Sequence, residues 1–212
     1  MKIRDILARS PVVPVLVIER LEHAAPLARA LTAGGLSVLE VTLRTPRALE
    51  AIEAMRAAVP EAIVGAGTLT QTEDFTQAQQ AGAQFGVTPG FTPELAAAAA
   101  KAGFPLLPGV ATASEILAAQ HQGYDTLKFF PAHQAGGVPM LQAFLGPFAE
   151  VRFCPTGGIT RESAASYLQL PNVLAVGGSW VAPLSHVARG NWSAIEQLAR
   201  EAASLARTFL SG

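Results

Sequence analysis

A lysine lies between Leu127 and Phe129 in the run TLKFFPA, Thr126 to Ala132. Lysine is seldom buried without a partner, and this chain has three, Lys2, Lys101 and Lys128, against twelve arginines. A lysine stem can run from a strand to the surface and cover apolar area on the way. An apolar strand end also offers a chemical use. Burial disfavours an ammonium ion relative to a free amine. A free amine attacks a ketone, and the resulting iminium draws electrons from an adjacent carbon–carbon bond. That chemistry needs no metal.

Glu40 interrupts a second apolar run, SVLEVTL, Ser37 to Leu43, and alternation puts it on one face with Val38 and Thr42. It could simply pair with Lys128 or Arg44, or it could move protons to and from a bound substrate. A carboxylate alone beside Lys128 would hold the ammonium form. Arg44, at the end of the same run, would offset that charge. Its planar fork also suits a substrate carboxylate, although a surface-loop arginine would look the same.

Two glycine pairs close later runs, Gly157-Gly158 in PTGG and Gly177-Gly178 before Ser179 in VGGSW. Glycine lets an oxyanion approach the backbone, and such turns hold phosphate in many barrels. Ordinary strand–helix turns also favour glycine. Four histidines, His23, His121, His133 and His186, are scattered without metal-ligand spacing. Cys154, the single cysteine, precedes Pro155 and suits the role of a small buried apolar residue.

These residues need elements to carry them. Eight short β-rich runs recur: Val12–Ile18, Ser37–Leu43, Ala62–Thr68, Gln84–Gly90, Pro105–Ala111, Thr126–Ala132, Val151–Gly158 and Val173–Trp180. Their starts recur every ~20–26 residues, one strand and one helix per unit. Helical stretches lie between them at Glu22–Gly35, Thr45–Val59, Thr92–Gly103, Thr112–Gly123 and Thr160–Leu170, with a last one from Trp192 to Leu210 and a short one near Ile3 to Arg9. Thr45 and Thr92 each precede a proline, which reads as an N-cap followed by the first helical residue. Pro89, Pro108, Pro131 and Pro155 fall near the ends of four successive runs, where a residue without an N–H is tolerated. The pattern predicts a single-domain α/β protein, a (β/α)8 TIM barrel with a short N-terminal helix. A doubly wound open sheet competes, but no GxGxxG follows the first run.

The chain has 212 residues, half of them hydrophobic and 15% charged, with a net charge of −1. No basic excess points to nucleic acid or a membrane surface, and no apolar stretch reaches the ~18–20 residues of a membrane span. With no leader pattern at the N-terminus and no internal disulfide possible, the expected location is cytoplasmic.

Taken together, LEVTLRT (Leu39–Thr45), VGAGTL (Val64–Leu69), GVTPG (Gly86–Gly90), LLPGVATASE (Leu106–Glu115), LKFFPA (Leu127–Ala132), GPF followed by VRFCPTGGI (Gly146–Ile159) and VGGSW (Val176–Trp180) resemble the 2-keto-3-deoxy-6-phosphogluconate (KDPG) / 4-hydroxy-2-oxoglutarate (KHG) aldolase family. The resemblance implies a class I aldolase of the Entner–Doudoroff pathway, without cofactor or metal, usually a homotrimer. It implies cleavage of the phosphorylated keto acid to pyruvate and glyceraldehyde 3-phosphate. By motif, Lys128 becomes the Schiff-base lysine and Glu40 the proton-transferring carboxylate. Arg44, Thr68 and Pro89 surround the pyruvyl carboxylate, Phe130 packs beside the reacting carbons, and Thr156 lines the floor. Gly157, Gly158, Gly178 and Ser179 take the phosphate. Family members often carry glutamate after KFFPA. Here His133 stands there, outside the reacting core, where it bears on substrate preference or on the loop's hydrogen bonding. Three rivals remain: an aldolase for the galacto-configured substrate, a phosphosugar isomerase or epimerase, and a non-catalytic phosphometabolite-binding barrel.

Overall fold

The computed structural model describes residues 1–205. Its strands are β1 (Val12–Leu16), β2 (Val38–Thr42), β3 (Ile63–Gly67), β4 (Gly86–Val87), β5 (Leu106–Leu107), β6 (Gly109–Val110), β7 (Thr126–Phe129), β8 (Arg152–Pro155) and β9 (Val176–Gly178). The eight expected runs appear as nine segments because Pro108, which has no N–H to donate, separates β5 from β6. Its carbonyl still accepts from the Lys128 N–H at 2.8 Å.

Every strand pairing is parallel. One sheet runs β5-β4-β3-β2-β1-β9 and another β6-β7-β8. The first and last strands are neighbours, Val12 opposite Val176, so the sheet curls back toward its start. Among the described residues, two isolated parallel bridges, Phe153 to Val173 and Thr156 to Gly177, link β8 and its end to the run that carries β9. Parallel neighbours need crossover connections, and helices supply them.

The helices are α1 (Ile3–Leu7), α2 (Ala24–Ala33), α3 (Ala48–Ala58), α4 (Thr72–Gln80), α5 (Pro93–Lys101), α6 (Ala113–His121), α7 (Gly137–Phe144), α8 (Arg161–Leu168), α9 (Leu184–Ala188) and α10 (Trp192–Ser204). Thr92, Thr112 and Thr160 cap α5, α6 and α8 by accepting from the N–H three residues on, as their position before each helix suggests. Thr45 does not. Its hydroxyl instead donates to the Ile18 carbonyl at 2.6 Å, and α3 begins at Ala48. Sequence reading passes over α4, α7 and the short α9. Helix α4 buries only Phe75 and Ala78, too thin a stripe for a helical period, and α7 opens at Gly136-Gly137, a pair that reads as a stop. The expected last helix runs to Leu210, and its end lies outside the described residues.

Alternation divides the strand side chains into two layers. Leu39, Val41, Leu127, Phe129 and Phe153 join the core between strands and helices. Val13, Val38, Ile63, Phe85, Leu107 and Cys154 face the other way and form a second cluster, closed by Ile6 and Leu7 of α1. Lys128 falls between Leu127 and Phe129, and Glu40 between Leu39 and Val41, so both point to the inner side. Among the described residues, no helix is long and apolar enough to cross a membrane.

Candidate active site

Lys128 and Glu40 meet above the inner apolar cluster. Lys128 Nζ lies 3.5 Å from Glu40 Oε1, with side chains only 5% and 3% exposed. An ion pair this deep is costly to desolvate, and its geometry is at the long limit of a hydrogen bond. Such a pair is a weak means of stabilising a fold and a suitable one for holding reactive groups. The ammonium also stands 5.1 Å from the centre of the Phe130 ring.

Room for the carboxylate comes from β3. A Cβ placed on Gly67 would run into Glu40 Oε1. Cys154 is opposite Lys128 in register. Burial first and Glu40's charge next push its thiol up to about 12, against the lowering effect of Lys128's charge. This thiol stays protonated and behaves as an apolar group.

Arg44 leaves the end of β2 and its Nε–H donates to Thr68 Oγ1 at 3.3 Å. Thr68 adopts φ +62°, the one non-glycine residue with positive φ among the described residues. A β-branched residue in the left-handed region is strained, and strain of this kind collects at functional sites. Pro89 stands one strand further round. Its carbonyl packs against Gly109, a contact that any side chain on Gly109 would block, and Gly109 is the register partner of Lys128.

Seven of the expected residues, Arg44, Phe130, Thr156, Gly157, Gly158, Gly178 and Ser179, line one cavity of about 500 Å³ at the carboxyl ends of the strands. Thr156 packs against Gly177, where a Cβ would collide with Oγ1. Gly157 and Gly158 have φ of +102° and +71°, so their turn requires glycine. Lys128 and Glu40 are not on the cavity wall, nor are Thr68 and Pro89. Sequence reasoning missed the apolar part of that wall, Val15, Val17, Ile159, Trp180, Pro183 and Leu184. These side chains carry no chemistry, and their one signal is position just past a strand.

A larger cavity of about 820 Å³, lined by Arg9, Ser10, Gly34, Leu170, Arg200 and others, opens where Pro11 enters β1, at the opposite end from these residues. Among the described residues, no cluster of three or more His, Cys, Asp or Glu side chains is placed to hold a metal ion.

Known proteins show the same arrangement of chain. The model of the family "Aldolase: KDPG and KHG aldolase" matches residues 3–198. KHG/KDPG aldolase of Escherichia coli K12 is 50% identical over 198 residues, 93% of each chain. 2-Dehydro-3-deoxy-phosphogluconate aldolase of Zymomonas mobilis is 49% identical over 209 residues, 99% of each. The crystal structure of KDPG aldolase from Legionella pneumophila, with pyruvate captured as a covalent carbinolamine intermediate, superposes with a TM-score of 0.94 at 48% identity, covering 96% of this chain and 98% of that one. Match, identity and coverage over almost the whole length make this chain a member of the KDPG and KHG aldolase family.

Proposed function

We propose that this protein is a class I aldolase that cleaves 2-keto-3-deoxy-6-phosphogluconate to pyruvate and glyceraldehyde 3-phosphate. The observation that carries the reading is the buried Lys128–Glu40 pair, 3.5 Å apart, beside a glycine-lined cavity. Relatives named for both substrates support a second use, cleavage of 4-hydroxy-2-oxoglutarate.

Lys128 attacks the C2 ketone as a free amine, and loss of water from the carbinolamine leaves an iminium. Glu40 accepts the C4 hydroxyl proton as the C3–C4 bond breaks. The bonding electrons pass into the iminium, giving an enamine, and the aldehyde departs. Protonation at C3 and hydrolysis release pyruvate and restore the amine. In this reading Arg44 and Thr68, joined by their hydrogen bond, grip the pyruvyl carboxylate together with the Pro89 segment. Phe130 excludes water beside the amine, and Thr156 forms the floor. The N–H groups around Gly157, Gly158, Gly178 and Ser179 take the phosphate. The reaction uses no cofactor and no metal, since the iminium is the electron sink.

The proposal extends to the whole molecule. The curled sheet is read as one closed (β/α)8 barrel in a single domain, supported by the β1–β9 pairing and the Thr156–Gly177 bridge. The resemblance implies a homotrimer and a cytoplasmic location, with a small phosphorylated keto acid as partner and neither nucleic acid nor membrane. Borohydride reduction in the presence of pyruvate tests the central step. The expected result is a pyruvate-derived mass adduct on Lys128, absent in Lys128→Ala. Folded protein that forms no adduct would overturn the reading, and a phosphosugar isomerase or a binding module would then stand.

A further inference from the structure

We propose that His133 is a specificity-determining residue whose imidazole donates to the phosphate of the substrate at the Gly157–Gly158 turn. The inference rests on the phosphate reading of that turn.

Beyond the end of β7 the chain stays attached to the segment after β8. The Ala132 N–H donates to the Thr156 carbonyl at 2.8 Å, and the His133 N–H to the Gly157 carbonyl at 3.0 Å. His133 thus sits directly against the turn. A Cβ on Gly158 would come within 2.6 Å of His133 Cβ and 3.3 Å of its Cγ. The first atoms of the side chain therefore lie on Gly158, which lines the cavity, and His133 is exposed.

Charge supplies the second half of the argument. A phosphate ester carries about −1.5 to −2 at neutral pH. Among the described residues, Arg44 is the one charged side chain lining this cavity, and it is tied to Thr68 at the side assigned to the carboxylate. The phosphate end otherwise offers neutral donors, the turn amides and the Ser179 hydroxyl. An imidazole on the turn supplies a donor that becomes cationic when protonated. A substrate without phosphate gains nothing from it. The side chain is also separable from the turn's geometry, because the anchoring bond to Gly157 comes from the His133 backbone.

The test is a kinetic comparison of KDPG with 4-hydroxy-2-oxoglutarate in wild type, His133→Ala, His133→Gln and His133→Glu, with inorganic phosphate as inhibitor. The expected result is that His133→Ala lowers the ratio of kcat/KM values, phosphorylated over unphosphorylated, by at least about fivefold through KM, and weakens phosphate inhibition to match. His133→Glu lowers it further, and His133→Gln, which keeps a donor, recovers part of the loss. Should His133→Ala not fold, the Gln and Glu variants decide by size, the ratio falling clearly further in His133→Glu than in His133→Gln. An equal fall on both substrates, or no change in the ratio, would overturn the role of His133. A wild-type enzyme that shows neither preference for the phosphorylated substrate nor inhibition by phosphate would overturn the phosphate reading of the turn, and this inference with it.

Discussion

Gly67 and Glu40 lie on adjacent strands, and the space where a Gly67 side chain would begin holds the carboxylate of Glu40. The absence of a Cβ at Gly67 decides where that carboxylate can sit. Gly67→Ala is expected to fold, because the colliding atoms all belong to one side chain, Glu40 from Cγ outward, but Glu40 must then swing away from Lys128. The expected outcome is a fall in kcat of roughly 100-fold, the size of a displaced acid–base group, with pyruvate trapping on Lys128 slowed but detectable. Steady-state kinetics and borohydride trapping on the same sample check it.

Glu40→Gln removes the charge and keeps the shape. Turnover should fall by roughly 10²–10⁴, the range for a lost general acid–base. A second readout comes from Cys154, whose thiol is raised by burial first and by Glu40's charge next. In Glu40→Gln that thiol should ionise at lower pH than in wild type. Thiolate absorbance in the ultraviolet measures it. A nearly fully active Glu40→Gln enzyme would show the proton-transfer role to be wrong.

Thr68 separates strain from binding. Thr68→Gly removes a left-handed β-branched residue, whose strain costs about 1–2 kcal/mol, and it removes the acceptor of the Arg44 hydrogen bond. Thermal stability should hold or rise, while KM for the keto acid rises about tenfold, the loss expected when a charge-assisted contact no longer fixes the guanidinium. Thr68→Val keeps the strain and drops only the hydroxyl. It should show the KM change without the gain in stability, as differential scanning calorimetry and kinetics together would reveal.

Cys154 makes stability depend on alkaline pH. Its folded value of about 12 lies above the ordinary thiol value of 9.0. Below pH 9 the thiol is neutral folded or unfolded. Between about 9 and 12 the unfolded chain loses the proton and the folded one keeps it, so stability falls as pH rises through that window. The full effect is at most about 4 kcal/mol. Burial raises Tyr124 and Tyr167 as well, so wild type alone cannot isolate the thiol. The difference in denaturant midpoint between wild type and Cys154→Ala should shrink steadily from pH 9 upward, and Cys154 should resist alkylation until the protein unfolds.

The sequence by itself determined the family and the strand–helix alternation. Both are written locally, in KFFPA, CPTGG and LEVTLR and in Thr caps and glycine stops. It also determined which way Lys128 points. Leu127 and Phe129 must join the layer under the helices, and the pleat turns the residue between them inward. The same local reading placed a cap at Thr45 and missed α4, α7 and α9. At Thr45 a contact with Ile18, 27 residues away, outweighs the local preference. In α4 two buried side chains are too few to show a period.

Only the tertiary structure decided that Glu40 and Lys128, 88 residues apart, are partners. It also decided that Arg44 reaches Thr68, that the latter is strained, and that His133 rests on Gly158. The physical reason is that strand adjacency and register are set by how the curled sheet packs against its helices, with glycines at Gly67, Gly109 and Gly177 admitting the close approaches. Alternation tells a side chain which face to take. It does not say which residue waits on that face.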